Sequence, residues 1–231
     1  MPLIRTGLCL PQSKESGLLL EWFGEDPSTN DEAEPVYSTT TTSTSMYFSQ
    51  MSFDNVPDTH FIRIKTTFTA ARTCKYRFGL SVCGEARLMI DGEEAIDLWT
   101  SQPKKTDDTP CFNKLSMEKF ADFDINQGQR YNLLIFMTNE PVRTTVGPPS
   151  PGSVRLGGQE LRDEDKAIRD AVQLVQEVDV PILITGLGSD YEYEASDRRS
   201  LSLPGRENEM IRRVCEANPN TVSLQYGSKD R

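Results

Sequence analysis

The chain has 231 residues, a hydrophobic content of 36% and a formal net charge of −10. This length is enough for one large domain or two small ones, and the composition is that of a folded protein. A polyanion is poorly suited to nucleic acid or to an anionic membrane surface, because both of these favour cationic partners. We therefore expect neither nucleic acid nor a membrane as a partner.

The cysteines and the histidine exclude several kinds of active site. The cysteines are an odd number without the spacing of metal ligands: Cys9, Cys74, Cys83, Cys111 and Cys215. The single histidine, His60, makes a histidine-based triad or a multi-histidine metal site nearly impossible. We see no secretory leader at the N-terminus and no apolar run as long as a membrane span. We therefore expect a cytoplasmic protein with reduced thiols.

Residues 17–145 have the pattern of an all-β domain. The segment "HFIRIKTTFTA" alternates apolar and polar side chains, and Asp91-Gly92 is a hairpin signal. The stretch "PVYSTTTTSTSMYF" is rich in Thr and Ser and predicts an edge segment of a sheet. Many short strands with turn signals at short intervals predict a β-sandwich or a barrel.

A Pro/Gly/Ser-rich break, "VGPPSPGSVRLGG" (146–158), follows and predicts a linker. Beyond it come a helical pattern, the short apolar strand "VPILITGL", a second amphipathic helix and the strand "NTVSLQYGS". This order predicts a piece of an α/β fold with buried parallel strands. Two strands cannot cover both faces of their sheet, so we expect them to lean on the β domain, on a second copy or on a strand from residues 1–16.

Between the first of these strands and the second helix lies the charged stretch "GSDYEYEASDRRSLSLPG". It places Asp190, Glu192 and Glu194 close together in sequence. Loops beyond the carboxyl ends of strands in open α/β sheets are where ligands bind, so one of these carboxyl groups could protonate a ligand. The alternative is a solvated turn that is braced by an ion pair between Asp197 and Arg198.

Two parts of the chain resemble parts of glycoside hydrolase family 3 β-glucosidases. The stretch from Gly157 to Val222 is similar to the family's C-terminal α/β sandwich domain, with Asp-Arg, "LPG" and "NPN" in order and at fitting spacing. The earlier stretches "LLLEWF", "KYRFGLSVCGEARLMIDGEEAIDLW" and "INQGQRYNLLI" resemble the protective-antigen-type β-sandwich that these enzymes carry as an insertion. Together the two resemblances cover nearly the whole chain from about residue 17 onward.

The resemblance implies an α+β fold in which an antiparallel β-sandwich packs against a small α/β remnant, a βα repeat, of the family's C-terminal domain. We expect the sandwich over 1–145, the linker over 146–158 and the α/β part over 159–231, with 1–16 as a candidate strand of the α/β part. A complete family 3 enzyme also has a TIM-type barrel that supplies the aspartate nucleophile, and 231 residues are too few to include one.

The resemblance also implies roles for the charged stretch. A retaining glycosidase needs a second carboxyl group that protonates the leaving oxygen, and the motif places Glu194 there, with Glu192 as the second choice. Asp197 and Arg198 would brace the loop, and Asp190 and Tyr191 would contact the ligand. The family's Glu-Gly-x-Asp-Arg lacks its glycine here, because residue 195 is Ala.

Aromatic residues of the sandwich are further candidates. The stretch "TPCFNKLSMEK" (109–119) resembles the loop that leans over the sugar site in family 3 enzymes, which makes Phe112 an expected ligand contact, with a core position as the alternative. Trp22 and Trp99 could stack on a sugar, although their strand-like surroundings favour the core. Asp107-Asp108 is similar to the paired aspartates that bind calcium in yeast adhesins, but a polar loop is the simpler explanation. We expect no metal and no cofactor.

Three functions remain open. The chain could bind a small glycoside or aromatic natural product at the junction of its domains and use Glu194 for isomerisation, cyclisation or dehydration, which need a proton donor but no nucleophile. It could instead be a non-catalytic carbohydrate-binding module, or an inactive fragment of a longer β-glucosidase. A homodimer is one way in which the small α/β part could be covered.

Overall fold

The computed structural model of the chain describes residues 1–30, 32–48, 55–104, 115–140, 152–187 and 200–226. The chain divides into two compact units, Met1–Leu161 and Arg162–Arg231. Within the described residues the first unit forms these strands: β1 (Leu8–Cys9), β2 (Leu18–Phe23), β3 (Tyr37–Thr41), β4 (Ser45–Tyr47), β5 (Phe61–Thr69), β6 (Cys74–Cys83), β7 (Glu85–Ile90), β8 (Glu93–Asp97), β9 (Lys119–Ile125), β10 (Arg130–Thr138) and β11 (Ser153–Glu160).

The first unit is a sandwich of two antiparallel sheets. The larger sheet has the order β3-β2-β5-β10-β7-β8, with β1 paired to β5, and the smaller has the order β4-β11-β6-β9. The Thr-rich β3 and the neighbouring β4 lie at sheet edges, as predicted from their composition. A short 3₁₀ turn, Pro27–Thr29, follows β2.

Alternating side chains of the two sheets form one hydrophobic core. In β7 every second residue is buried, which is the pattern of a strand with one face toward the core. Trp22 is 1% exposed and makes edge-to-face contacts with Tyr37 and Phe48, with ring centroids 5.5 and 5.8 Å from its own. Trp22 is therefore a core residue, which agrees with the interpretation that its strand-like context favoured.

Two turns organise the middle of the sandwich. Asp91 and Gly92 both have positive φ, 50° and 87°, and connect β7 to β8 as the hairpin signal predicted. Gly84 has a φ of +126° and lies where the chain passes from β6 in the smaller sheet to β7 in the larger one.

Two segments lie elsewhere than the sequence led us to expect. Residues 153–158, which we placed in the linker, belong to β11 and pair with β6 over its length. Gly157 and Gly158 suggested a linker in the sequence, but packing explains them: a Cβ on Gly158 would lie 2.7 Å from the side chain of Tyr76. In the part of the chain that the structure describes, residues 1–16 pair within the sandwich and form no strand of the α/β part: β1 pairs with β5, and Leu3 bridges to Gly157.

The second unit has the order α1 (Glu164–Val175), β12 (Ile182–Gly186), α2 (Glu207–Ala217) and β13 (Val222–Tyr226). Asp163 caps the N-terminus of helix α1, because its side chain accepts a hydrogen bond from the backbone N–H of Lys166. Strands β12 and β13 are parallel, with Ile182 opposite Val222 and Gly186 opposite Tyr226. The predicted α+β class, an antiparallel sandwich with a small α/β part, is confirmed.

One face of the two-stranded sheet differs from the expected buried strand. Ile182, Ile184, Val222, Leu224 and Tyr226 alternate along the two strands on one face and are each at least 39% exposed. On the opposite face of β12, Thr185 and Leu187 are buried. For β12 the expectation of a fully buried strand therefore holds on one face only, whereas all five residues of β13 are exposed. None of the described helices is long and apolar enough to cross a membrane.

Candidate functional site

Trp99 and its neighbours form an aromatic and charged corner on the sandwich. Trp99 follows β8 and is partly exposed. The ring of Phe61, at the start of β5, stacks on the indole with centroids 6.3 Å apart and planes 19° from parallel. The guanidinium carbon of Arg87 lies 4.8 Å from the centroid of the indole, which is a cation–π contact. We refer to Phe61, Arg87 and Trp99 as the Trp99 corner.

Asp97 fixes the backbone that carries Trp99. Its Oδ1 accepts hydrogen bonds from the backbone N–H of Trp99 at 2.8 Å and of Thr100 at 2.9 Å, and its Oδ2 accepts from the Thr100 hydroxyl. Lys119 donates to the Asp97 carbonyl at 2.8 Å. Burial raises the pKa of Asp97, but the hydrogen bonds from Thr100 and Trp99 and the charge of Lys119 outweigh burial and leave the pKa below its ordinary value.

The other end of this segment is tied to the turn between the two sheets. The side-chain amide of Gln102 donates to the carbonyl of Gly84 at 2.7 Å and to that of Leu98 at 2.9 Å. Leu98 is fully buried and its backbone N–H donates to Ala86 at 2.8 Å. The indole is therefore held by a braced segment, which gives it the rigidity that a binding surface needs.

Carboxyl groups lie beside the Trp99 corner. Burial raises the pKa of Glu85, and the charges of Glu140 and Asp97 raise it further. Arg87 lies 3.9 Å from a carboxylate oxygen of Glu94, and its Nε is buried without a hydrogen-bond partner among the described residues. The Trp99 corner and the carboxyl groups beside it thus combine a flat aromatic surface with hydrogen-bond donors and acceptors, which is the mixture that recognises an amphipathic ligand.

A second candidate position is the carboxyl end of the parallel pair in the α/β unit. The two strands end side by side at Gly186 and Tyr226, and Leu187 donates to the Tyr226 carbonyl at 3.0 Å. A Cβ on Gly186 would lie 2.6 Å from the Tyr226 carbonyl oxygen, so the glycine permits this close approach. Helix α2 begins at Glu207, beyond the described Leu203, which is buried.

Two polar atoms of the α/β unit are buried without a hydrogen-bond partner among the described residues. They are the hydroxyl of Thr185, a residue that is 6% exposed, and Oε2 of Glu207. A buried polar atom that is left without a partner costs about 1–3 kcal/mol, and most such atoms in native proteins are satisfied.

Most residues that the sequence singled out lie outside the described residues. These are Asp107, Asp108, Phe112, Asp190, Tyr191, Glu192, Glu194, Asp197 and Arg198. Their roles stay predictions. Of the proposed ligand contacts Trp99 is described, and the structure brings it together with Phe61 and Arg87.

Sequence reasoning missed the partners of Trp99 and the two orphaned polar atoms. Phe61 and Arg87 come from strands that are distant in sequence, so their proximity to Trp99 depends on strand order. A signal for Thr185 was present, because it is the one hydroxyl in the apolar run "VPILITGL". For Glu207 there was no such signal in the sequence, because an acidic residue in the first turn of a predicted helix is explained by its favourable interaction with the helix dipole.

The chain matches the model of the PA14 domain family over residues 14–164 and belongs to that family. It is also similar to the β-glucosidase of Kluyveromyces marxianus, with 27% identity over 217 residues that make up 92% of this chain and 25% of the relative. A probable β-glucosidase I of Aspergillus niger is 30% identical over 176 residues, which are 74% of this chain and 21% of that protein.

Solved structures agree with these similarities. The crystal structure of the Kluyveromyces marxianus β-glucosidase in complex with glucose has a TM-score of 0.80 and 25% identity, over 93% of this chain and 25% of that chain. The selenomethionine form gives a TM-score of 0.81 and 26% identity over the same shares. The chain therefore spans about a quarter of the length of the curated relatives it matches. The predicted resemblance to the sandwich insert and part of the C-terminal domain of a family 3 β-glucosidase is confirmed.

Proposed function

We propose that this chain binds a glycoside and does so through the Trp99 corner, as the sugar-contacting part of a β-glucosidase-like protein. The observation that carries this proposal is the partly exposed indole, held by Phe61 and Arg87 on a braced segment. The similarity of the chain to β-glucosidases, one of them solved with glucose, supports a sugar as the ligand.

The chemistry of the corner suits a pyranose ring. A sugar presents C–H groups on its flat faces and hydroxyl groups around its rim, so it packs on an indole and bonds to polar groups beside it. Asp97 is held ionised by its hydrogen bonds, and a carboxylate accepts hydrogen bonds from hydroxyl groups. The guanidinium of Arg87 supplies donors in the same place.

Calorimetric titration with cellobiose and with an aryl β-glucoside tests this proposal. Trp99→Ala should weaken binding about tenfold or more, because each 1.4 kcal/mol of lost contact is about a factor of ten. Phe120→Ala is the matched control: Phe120 is 49% exposed and also carries an arginine, Arg77, 5.6 Å from its ring. Equal affinities of the parent and the two variants would show that binding does not use the Trp99 corner.

The α/β unit supports a second candidate function, non-hydrolytic acid/base chemistry by Glu194 on a glycoside or an aromatic molecule. The observation that favours it is the paired carboxyl ends of β12 and β13, since ligands of open α/β sheets bind beyond such ends. Glu194→Gln should fold like the parent, keep ligand affinity and lose turnover. Asp197→Ala should lower the melting temperature, because we propose that Asp197 braces the loop with Arg198.

The exposed apolar face of β12 and β13 supports a proposal on assembly. Natural proteins cover apolar sheet faces, and a second copy of the chain would cover this one. Ile184→Lys should then shift a dimer to a monomer in light scattering, whereas Ser223→Lys on the other face of β13 should not. A parent protein that is monomeric at all concentrations contradicts the homodimer.

A further inference from the structure

We infer that Glu85 makes the Trp99 corner selective for a glycoside with a positively charged amino group over the corresponding neutral glycoside. The inference rests on the proposed glycoside binding for the position of the ligand, and it adds the chemical class of the sugar, which is an amino sugar. Its basis is the place of Glu85 in the larger sheet, between the strands that carry the two aromatic rings of the Trp99 corner.

The strand register places Glu85 and Phe61 in one row on the outer face of the larger sheet. Thr138 of β10 lies opposite Phe61 of β5 on one side and opposite Glu85 of β7 on the other. Opposite residues of antiparallel strands project to the same face of the sheet. The neighbours in sequence, Ile62 and Ala86, are buried in the core, so Phe61 and Glu85 project away from the core.

Trp99 lies in the same row, on the far side of Glu85. The backbones of Ala86 and Leu98 exchange two hydrogen bonds, at 2.8 and 3.5 Å. In an antiparallel pair the residues that flank such a bonded pair are also opposite each other, so Glu85 is opposite Trp99. The side chain of Glu85 therefore leaves the sheet between the strand of Phe61 and the segment of Trp99, whose rings stack on each other.

The charges around Glu85 favour a ligand cation. Glu85 is partly exposed, and among the described residues no cation lies within ion-pair distance of its carboxyl group, since Arg87 pairs with Glu94 instead. Burial raises the pKa of Glu85, and the charges of Glu140 and Asp97 raise it further. A cation that binds beside Glu85 offsets this repulsion, because an opposite charge favours the ionised form of a carboxyl group.

The aromatic rings favour the same kind of ligand group. The negative face of an aromatic ring attracts cations, and the guanidinium of Arg87, 4.8 Å from the centroid of the Trp99 indole, shows that this ring does so. An ammonium group on a sugar carbon donates three hydrogen bonds, whereas an ionised carboxyl group such as that of Glu85 only accepts them. A sugar with a carboxylate is disfavoured, because like charges repel each other.

Calorimetric titration at neutral pH with three matched probes tests the inference. Methyl β-D-glucosaminide carries a charged amine, whereas its N-acetyl derivative and methyl β-D-glucoside are neutral. The parent should bind the glucosaminide about tenfold more tightly than either neutral probe, because an exposed ion pair and a cation–π contact each contribute up to about a factor of five. Glu85→Gln should reduce this ratio to about twofold.

Glu93→Gln is the matched control, because it removes the same charge from an exposed position at the other end of β8 and should keep the full ratio. A cooperative melt followed by tryptophan fluorescence checks that both variants are folded. An equal loss of selectivity in both variants would overturn the inference, because the net charge of the chain and not Glu85 would then attract the amine.

The same titrations separate this inference from the proposed function. If Trp99→Ala weakens the binding of the neutral probes but the parent binds the glucosaminide no more tightly than these, the proposed function stands and this inference is wrong. If none of the three probes binds to the parent, the proposed function and this inference both fail.

Discussion

Replacement of Gly84 by alanine tests the turn that connects the two sheets and supports the Trp99 segment. Gly84 has a φ of +126°, a backbone conformation that residues other than glycine rarely adopt. Its carbonyl accepts the hydrogen bond from the side-chain amide of Gln102. A Cβ built there would lie 3.0 Å from the carbonyl carbon of Thr138 and 3.2 Å from the Cα of Asn139, and closer still to the Thr138 oxygen. All of these are backbone atoms of a buried segment, so none can rotate away.

The magnitude follows from two costs. A strained backbone conformation costs about 1–3 kcal/mol, and forcing extra atoms into a packed interior costs about 1–3 kcal/mol more. We therefore expect Gly84→Ala to lose about 2–6 kcal/mol of unfolding free energy. Gly92→Ala is the matched control, since Gly92 has a φ of +87° but nothing lies within 4 Å of its Cβ position. It should lose only about 1–2 kcal/mol, the cost of the left-handed conformation alone.

Tryptophan fluorescence is the assay, because both tryptophans, Trp22 and Trp99, lie in the sandwich unit and report its unfolding. For a unit of this size each kcal/mol lowers the melting temperature by about 2–4 °C. Gly84→Ala should thus melt clearly below Gly92→Ala. Equal melting temperatures for the two variants would refute the argument, because the backbone at Thr138 would then yield to the new methyl group.

Three further predictions concern charge, the α/β unit and catalysis. The pKa of Glu85 is raised in the folded chain, so its contribution to folding stability is present below the unfolded pKa and is lost as pH rises through the folded value. In thermal melts Glu85→Gln should therefore be more stable than the parent at neutral pH, but not below pH about 4. A gain in stability that does not change with pH would contradict the raised pKa. Asn218→Ala leaves the Val175 and Val178 carbonyls without their donor, so it should lower the melting temperature that the helix signal reports. The melting temperature from tryptophan fluorescence, which reports the sandwich unit, should stay unchanged, and a shift of both signals together would contradict this prediction. The purified 231-residue chain should not release nitrophenol from an aryl β-glucoside at rates typical of glycosidases, because retaining hydrolysis needs a nucleophile that the family places in its barrel; sustained release would mean that another carboxylate takes that role.

Much of the sandwich could be predicted because its strands follow local rules. Strands β2, β5 and β10 have long apolar or alternating runs, and the Asp91-Gly92 pair adopts the positive φ values of its hairpin. Strand β11 was missed because Gly157 and Gly158 read as a break, whereas their lack of a Cβ is what allows Tyr76 and the N-terminal residues to pack against them. That contact joins residues far apart in sequence, and no local pattern records it.

The candidate site was less predictable for the same reason. The sequence suggested Trp99 as a sugar contact but could not supply Phe61 or Arg87, since these reach the indole only through the pairing of β5 with β10 and of β10 with β7. The orphaned hydroxyl of Thr185 depends on what surrounds it in space. A polar residue in an apolar strand looks the same in sequence whether it has a partner or not.

The most direct test of glycoside binding at the Trp99 corner is an NMR titration of the nitrogen-15-labelled chain with cellobiose, followed at the indole N–H signals of Trp22 and Trp99. Trp22 is buried in the core and Trp99 is partly exposed beside Phe61 and Arg87, so the two signals act as control and probe within one molecule. The proposal predicts a saturable shift of the Trp99 signal with little change at Trp22. A titration that leaves the Trp99 signal unmoved, or that moves both signals equally, would contradict it.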